Sequence, residues 1–247
     1  MSFKVLLIGD SCEDEYICGR CDGTSPEAPV PIMKFSKVET KAGMAGNVCL
    51  NLQVFGLDIT FLTNSEKITR TRFIDDRTNN QVLRVDTEER VKPLLLPLST
   101  DNFDAVVVSD YDKGYVTESK LFELVERSNC PVFVHSKKTF LPNKENCFVI
   151  VNEDEYERLN LNHHIDELII IKGPEGCIYK NTMYPLEKVK VCDKIGVDDI
   201  FLSSLVYGYL KYNNIDKALI VANKAYAISG QQIGTYVLTE KDVSLIE

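Results

Sequence analysis

From Asp104 onward short apolar runs alternate with amphipathic stretches, and this rhythm restricts the possible folds more than any other feature of the chain. "DAVVVSD", "PVFVHS", "CFVIVN" and "ELIIIKG" read as strands buried on both faces, because they are apolar throughout and end on polar or glycine residues. Between them, "TESKLFELVERS" places Leu121, Leu124 and Val125 on one helical face, and "DEYERLN" opens another helix. "DIFLSSLVYGYLKY" and "IDKALIVANKAYAISGQ" are two apolar helices. Strands interleaved with helices predict an α/β fold, a mainly parallel sheet with helices on both faces. "FKVLLIG" at 3–9 and "DITFLTN" add two more strands, and "GCIYK" with "TMYPLEKVKV" continue as strand.

Two segments break the rhythm. Pro26, Pro29 and Pro31 sit among alternating apolar residues, which excludes a central strand and predicts an edge strand or flap. "RTRFIDD" and "NQVLRVDTEE" alternate and predict a hairpin or flap strands across 70–90. Between these segments, "AGMAGNVCLNLQVFG" reads as a glycine-containing turn running into a helix that ends at Gly56. No repeat, low-complexity tract or linker divides the chain. The expectation is one domain over 1–247, with flap segments near 12–38 and 70–90.

Charge and cysteine usage narrow the function classes. The net charge of -9 over 247 residues gives no basic footprint for nucleic acid, and an acidic surface does not favour anionic membranes. No apolar run approaches the ~18 residues of a membrane span. "MSFKVLLIGD" lacks the pattern of an export signal, so the expected compartment is the reducing cytoplasm and the eight cysteines are expected as thiols. Cys18 and Cys21 have C-x-x-C spacing. Their surroundings are strand-like and then turn-rich, unlike the helix start that a redox pair opens.

Ligands of such sheets sit at the carboxyl ends of the strands. The polar residues falling there are Asp10 and Asp14, 43–47, 110–114, 152–155, 172–176 and 193–199. Asp199 follows Gly196 at a helix start. It reads either as a first-turn cap or as a general base beside backbone N–H groups that stabilise phosphate. Asn152 and Glu155 read either as a capping box or as indirect Mg²⁺ ligands acting through water and phosphate oxygens. Asp14 and Asn47 have the chemistry to bind sugar hydroxyls or to serve the structure.

Taken in order, these blocks resemble the ribokinase-like (PfkB) carbohydrate kinases, and more narrowly the heptose-phosphate kinase branch. The matching blocks are "GDSCEDEYICG", "TSPEAPVPIMK", "GMAGNVCLNLQVFG", "NQVLRVDTEE", "VVSDYDKG" and "ANKAYAISGQQIGTYVLT". The resemblance implies a three-layer sandwich with a small β flap and ATP-dependent phosphorylation of a sugar or sugar phosphate hydroxyl, with ATP and Mg²⁺ as cofactors. It implies Asp199 as the base and Gly196 in the anion hole. Asp14, Gly43, Asn47 and Lys113 fall on the sugar side. Asn152 and Glu155 would organise Mg²⁺ and phosphate. Lys172, Gly173, Gly176, Asn223 and Gly234 fall on the nucleotide side. The partners implied are small molecules, a sugar phosphate and a nucleotide, with a homodimer through the flap strands.

The departures from the pattern motivate a second reading. Where the family has Asp-x-x-Gly-Ala-Gly-Asp, this chain has Asp193-Lys194-Ile195-Gly196-Val197-Asp198-Asp199, so a carboxylate replaces the second glycine. Met44 stands for a glycine, Gly23 for an arginine, and His135 for an aspartate. The stretches after Asn64 and after Tyr156 are short, which implies trimmed helical cover or a trimmed nucleotide side. The alternative is therefore a degenerate kinase fold that binds a sugar phosphate or a protein partner without turnover.

Overall fold

The computed structural model describes residues 2–87, 90–95, 98–160, 163–186 and 192–246. In chain order the first half holds β1 (Lys4–Gly9), β2 (Ser11–Thr24), β3 (Pro31–Met44), α1 (Ala45–Val54), β4 (Asp58–Thr63), β5 (Thr69–Asp75), β6 (Asn80–Thr87), β7 (Ala105–Asp110) and α2 (Glu118–Arg127). The second half holds β8 (Val132–Ser136), β9 (Cys147–Asn152), α3 (Glu153–Arg158), β10 (Leu168–Ile171), β11 (Gly176–Tyr179), β12 (Thr182–Pro185), α4 (Val197–Tyr212), α5 (Ile215–Ser229) and α6 (Glu240–Ile246).

Two sheets form among the described residues. The larger has the order β12-β11-β10-β9-β8-β7-β1-β4, parallel from β4 to β10 and antiparallel through β11 and β12. Strand alternation sends side chains to two cores. Val5 and Leu7, Phe133, and Ile169 and Ile171 enter the core beneath α1, α4 and α5. Leu6 and Ile8, Val132 and Val134, and Val149 and Val151 enter the core beneath α2. Helices thus cover both faces, as the interleaved pattern predicts.

The second core is thinly covered toward β10. α3 has only six residues, and Leu168 and Ile170 are half-buried. A groove of about 670 Å³ opens there, lined in part by Leu159, Ile165 and Ile178. This is the side where the short stretch after Tyr156 implies lost cover.

The smaller sheet, β3-β2-β5-β6, is the flap. β2 and β3 are longer than the expected 12–38 segment and run straight into α1, with Met44 at φ 55° as its last residue before the helix. β3 is an edge strand that opens on Pro31, while Pro26 and Pro29 lie in the connection from β2. Glu88 and Glu89 of the second flap segment, and 187–191 of "TMYPLEKVKV", lie outside the described residues. α6 has no counterpart among the expected elements. No disulfide forms among the described residues, and Cys18 and Cys21 both lie within β2. No helix among the described residues is long and apolar enough to cross a membrane.

Candidate active site

The polar strand ends converge on the N-terminus of α4. The chain reaches that helix through Asp193, whose Oδ1 accepts from the Ile195 N–H at 3.1 Å and whose Oδ2 accepts from the Gly234 N–H at 2.8 Å. Gly196 follows at φ 72°, a left-handed conformation that favours glycine. A Cβ there would also lie 2.9 Å from Asn47 Nδ2. No side chain caps α4, so its first-turn amides remain available to an anion.

Asp198 and Asp199 sit on that first turn, ~100° apart around the axis, and their carboxylates leave in different directions. Asp199 is 2% exposed. Its Oδ1 accepts from the Tyr111 hydroxyl at 2.7 Å and its Oδ2 from Asn47 Nδ2 at 3.3 Å. Its partners are therefore side chains from the turn after β7 and from α1; it sits on the first turn, as the cap reading has it, but makes no capping bond there. Burial pushes its pKa up to about 6, opposed by the Tyr111 bond, the His135 charge and the Asn47 bond. The result is a carboxylate ionised at neutral pH with a pKa suited to accepting a proton.

Asp198 faces the other way, and its Oδ2 accepts from Asn152 Nδ2 at 3.1 Å. Asn152 closes a full capping box with Glu155, each backbone N–H bonding the other's side chain at 3.0 Å. Glu155 also binds His135 Nε2 and Lys137 Nζ, each at 3.2 Å. Burial works against its charge, but the His135 and Asn152 bonds and the two neighbouring cations hold its pKa down at about 2. His135 is raised despite its burial, because Glu155 accepts from it. That contact suits an imidazole at this place, where an aspartate would put two carboxylates together. Asn152 and Glu155 thus cap α3, and Asn152 also lines the cleft. Glu155 reaches the cleft only through Asn152. Among the described residues no group of three metal-ligating side chains gathers.

The cleft holds about 270 Å³ and is lined by Asn152, Gly173, Lys194, Asp198 and Tyr226 among others. Gly173 stands at its wall and Lys172 at its rim, where Lys172 pairs with Glu153. Gly176, at φ 110°, makes the tight turn into β11. A Cβ there would lie 2.1 Å from the Tyr184 carbonyl oxygen. One turn along α5 from Tyr226, Asn223 donates to the Tyr184 carbonyl at 2.8 Å. It lines a largely apolar pocket of about 600 Å³ between α5 and β12. Gly234 does not join this group. It packs against Tyr16, where a Cβ would meet the ring at 3.0 Å, and binds Asp193. The resemblance puts both Gly234 and Asn223 on the nucleotide side; here the flap and the turn before α4 hold Gly234 on the side opposite Asn223.

That opposite side contains Asp14 and Gly43. Asp14 is 3% exposed, and its oxygens accept from Arg72 at 2.5 Å and from the Thr235 hydroxyl at 2.9 Å. Gly43 is required by this arrangement, since a Cβ would lie 2.3 Å from Asp14 Oδ2. Asn47 is fully buried and spent on Asp199, Gly196 and Asn51. Lys113 lies in the turn after β7, its backbone N–H bound to Asp10 at 3.1 Å. A second cavity of about 600 Å³ opens between the flap and the turn before α4, lined by Tyr16, Arg72, Arg84, Asp193 and Ile195 among others.

Sequence reasoning missed Tyr111, Arg72, Thr235 and Lys137. Tyr111 stood in a strand-end run already flagged at 110–114, but its phenol was not weighed as a partner for a carboxylate. Arg72 and Thr235 meet Asp14 across 58 and 221 residues, a separation that no local pattern reveals.

Residues 140–242 match the family model described as pfkB family carbohydrate kinase. The chain is 29% identical to the bifunctional protein HldE of Nitratiruptor sp. over 302 aligned positions, covering 100% of this chain and 65% of that protein. It is 26% identical to HldE of Shewanella baltica (strain OS155), covering 99% of this chain and 63% of that protein. The chain thus spans less than two thirds of the length of these relatives, and the 302 aligned positions outnumber its own 247 residues, in keeping with trimmed segments. Among solved structures, ribokinase from Thermotoga maritima superposes with a TM-score of 0.72 at 15% identity over 99% of both chains. Ribokinase from Arabidopsis thaliana, complexed with ribose and ATP, superposes with a TM-score of 0.71 at 12% identity over 100% of this chain and 99% of that one. At these identities the likeness shows a ribokinase-like fold.

Proposed function

We propose that this chain, whose residues 140–242 match the pfkB family carbohydrate kinase model, transfers a phosphoryl group from ATP to a hydroxyl of a sugar phosphate, with Asp199 as the base. The observation that carries this reading is a buried carboxylate, its pKa near 6, on the first turn of a helix whose amides are uncapped. Phosphoryl transfer asks the protein mainly for positioning and charge stabilisation, and this turn supplies both. The acceptor hydroxyl approaches Asp199 from the flap side and gives up its proton as the new O–P bond forms. The first-turn amides of α4 take the charge of the transferred group. The 270 Å³ cleft would take the nucleotide's phosphates, and the apolar pocket beside Asn223 would take its adenine. The oxygen-rich cleft suits Mg²⁺ arriving with the nucleotide and keeping its waters, held indirectly by Asn152 and Glu155, where it would neutralise phosphate charge.

Among the described residues, two flap cations lack a close ion pair and could meet an anionic acceptor. Lys41, Arg70, Arg72 and Arg84 lie on its strands. Arg72 and Arg84 pair with Asp14 and Asp86, while Lys41 and Arg70 pair with no carboxylate among the described residues. Together with the "SPEAPVP" block and the HldE relatives, this supports a heptose phosphate as the acceptor.

Asp198 supports the second reading, a kinase fold without turnover, because its carboxylate faces the phosphate cleft. The two readings separate on a thermal melt with Mg·ATP. A ligand of the native state at 100 times its Kd stabilises by about 2.7 kcal/mol and raises the melting temperature by several degrees. The kinase reading expects that rise at millimolar nucleotide. No rise would leave the binding-only reading.

A further inference from the structure

We propose that Tyr111 is a positioning residue for this transfer: its hydroxyl fixes Oδ1 of Asp199 and thereby aims the carboxylate's remaining lone pairs at the acceptor hydroxyl. The inference rests on the kinase reading of the site and adds a residue to it.

Tyr111 is anchored at three points. Its backbone N–H donates to Asp10 Oδ2 at 2.9 Å, and the same aspartate takes the N–H groups of Lys113 and Tyr115, so the turn after β7 is clamped. Two cations lie against its ring, Lys137 at 4.9 Å and Arg70 of the flap at 5.5 Å from the centroid. The His135 ring meets it edge-on at 6.3 Å. The third anchor is its hydroxyl, on Asp199 at 2.7 Å. A side chain held at backbone, ring and tip is not built to swing aside as a gate.

Its chemistry fits the role. Burial and the adjacent Asp199 charge raise the phenol well above its ordinary pKa, so it stays protonated and donates. An ionised carboxylate offers about four lone-pair sites. Tyr111 and Asn47 take one on each oxygen and leave the others for the acceptor. Without the phenol, only the longer Asn47 bond orients the group.

The test is Tyr111→Phe, which keeps the ring and its cation contacts. A hydrogen bond to a charged group has a worth that converts to about tenfold to hundredfold, and kcat is expected to fall by that factor. KM for both substrates is expected to stay within about twofold. The Asp199 carboxyl, followed by ¹³C NMR in nucleotide-free protein and assigned by its absence in Asp199→Asn, is expected to titrate at higher pH in the variant. A fall in KM with kcat retained would make Tyr111 a gate and overturn the proposal, as would an Asp199 midpoint that ignores the substitution. A wild-type chain without turnover refutes the kinase reading, and the positioning role with it, whatever the titration shows. An active chain with an unmoved midpoint refutes Tyr111 alone.

Discussion

Asp199→Asn is expected to lower kcat by about 10²–10⁴, the usual worth of a positioned general base, with little change in KM. The acid limb of the wild-type kcat profile should fall near pH 6, where burial has brought this carboxylate. The same burial gives a stability signature of known sign. The folded-state pKa, about 6, lies above the ordinary 3.8, so the folded protein holds this proton more tightly than the unfolded chain does. Wild-type stability therefore drops as pH rises from about 4 to about 6, while the asparagine variant has no such loss. Above pH 6 the variant gains on the order of 3 kcal/mol on this account, less the cost of setting a new amide against the Asn47 Nδ2 group. Denaturant melts at pH 4 and pH 8 read the difference. Retained turnover would remove Asp199 as the base, and equal stability at both pH values would remove the burial account.

Asp198→Gly is expected to tighten Mg·ATP binding by up to three decades. Its carboxylate is held toward the cleft by Asn152. Two like charges ~4 Å apart at an effective dielectric of ~20 repel by roughly 4 kcal/mol, and salt and the nearby Lys194 reduce this. Asp198→Asn separates charge from shape, because it keeps the Cβ and an oxygen that accepts from Asn152. If charge is the obstacle, both variants bind more tightly, and the asparagine keeps most of the gain. Calorimetric titration at low salt checks this. Unchanged affinity in both would show that the phosphates pass Asp198 at a distance.

The inner strands were legible because they are buried on both faces, which writes β1, β7, β8 and β9 as continuous apolar runs, and β10 keeps such a run, "LIII", although one of its faces is only half-buried. The flap was legible in its prolines and alternation, but its lengths were not, since β2 and β3 continue into residues whose pattern resembles a turn. The helix start and Gly196 marked Asp199 as a candidate, and the family resemblance gave it the role of base. Its environment was not legible. Tyr111 and Asn47 reach it from other elements, and Asp14 is spent on Arg72 and Thr235, contacts fixed only by the tertiary fold. The orientation of Asp198 was posed as a question by the sequence. It is answered by the helix, which turns successive residues to different sides.

The thin cover over β10 has a dynamic consequence. Cooperative opening of a protein need not be uniform, and regions with few buried apolar contacts open at lower free energy than the whole. β10 and β11 are packed on one side by α4 and α5 but meet the 670 Å³ groove on the other, and β12 is the largely exposed edge strand beside them. β1 and β7, by contrast, are enclosed on both faces. Amide hydrogen exchange should therefore release β10–β12 as a sub-globally unfolding unit before β1 and β7. Equal protection of the two sets would show that the one-sided packing is enough. Because this unit carries the walls of the cleft and of the apolar pocket, a nucleotide would tighten the least stable part of the sheet. Its binding would then register as local protection of this unit as well as in the global melt.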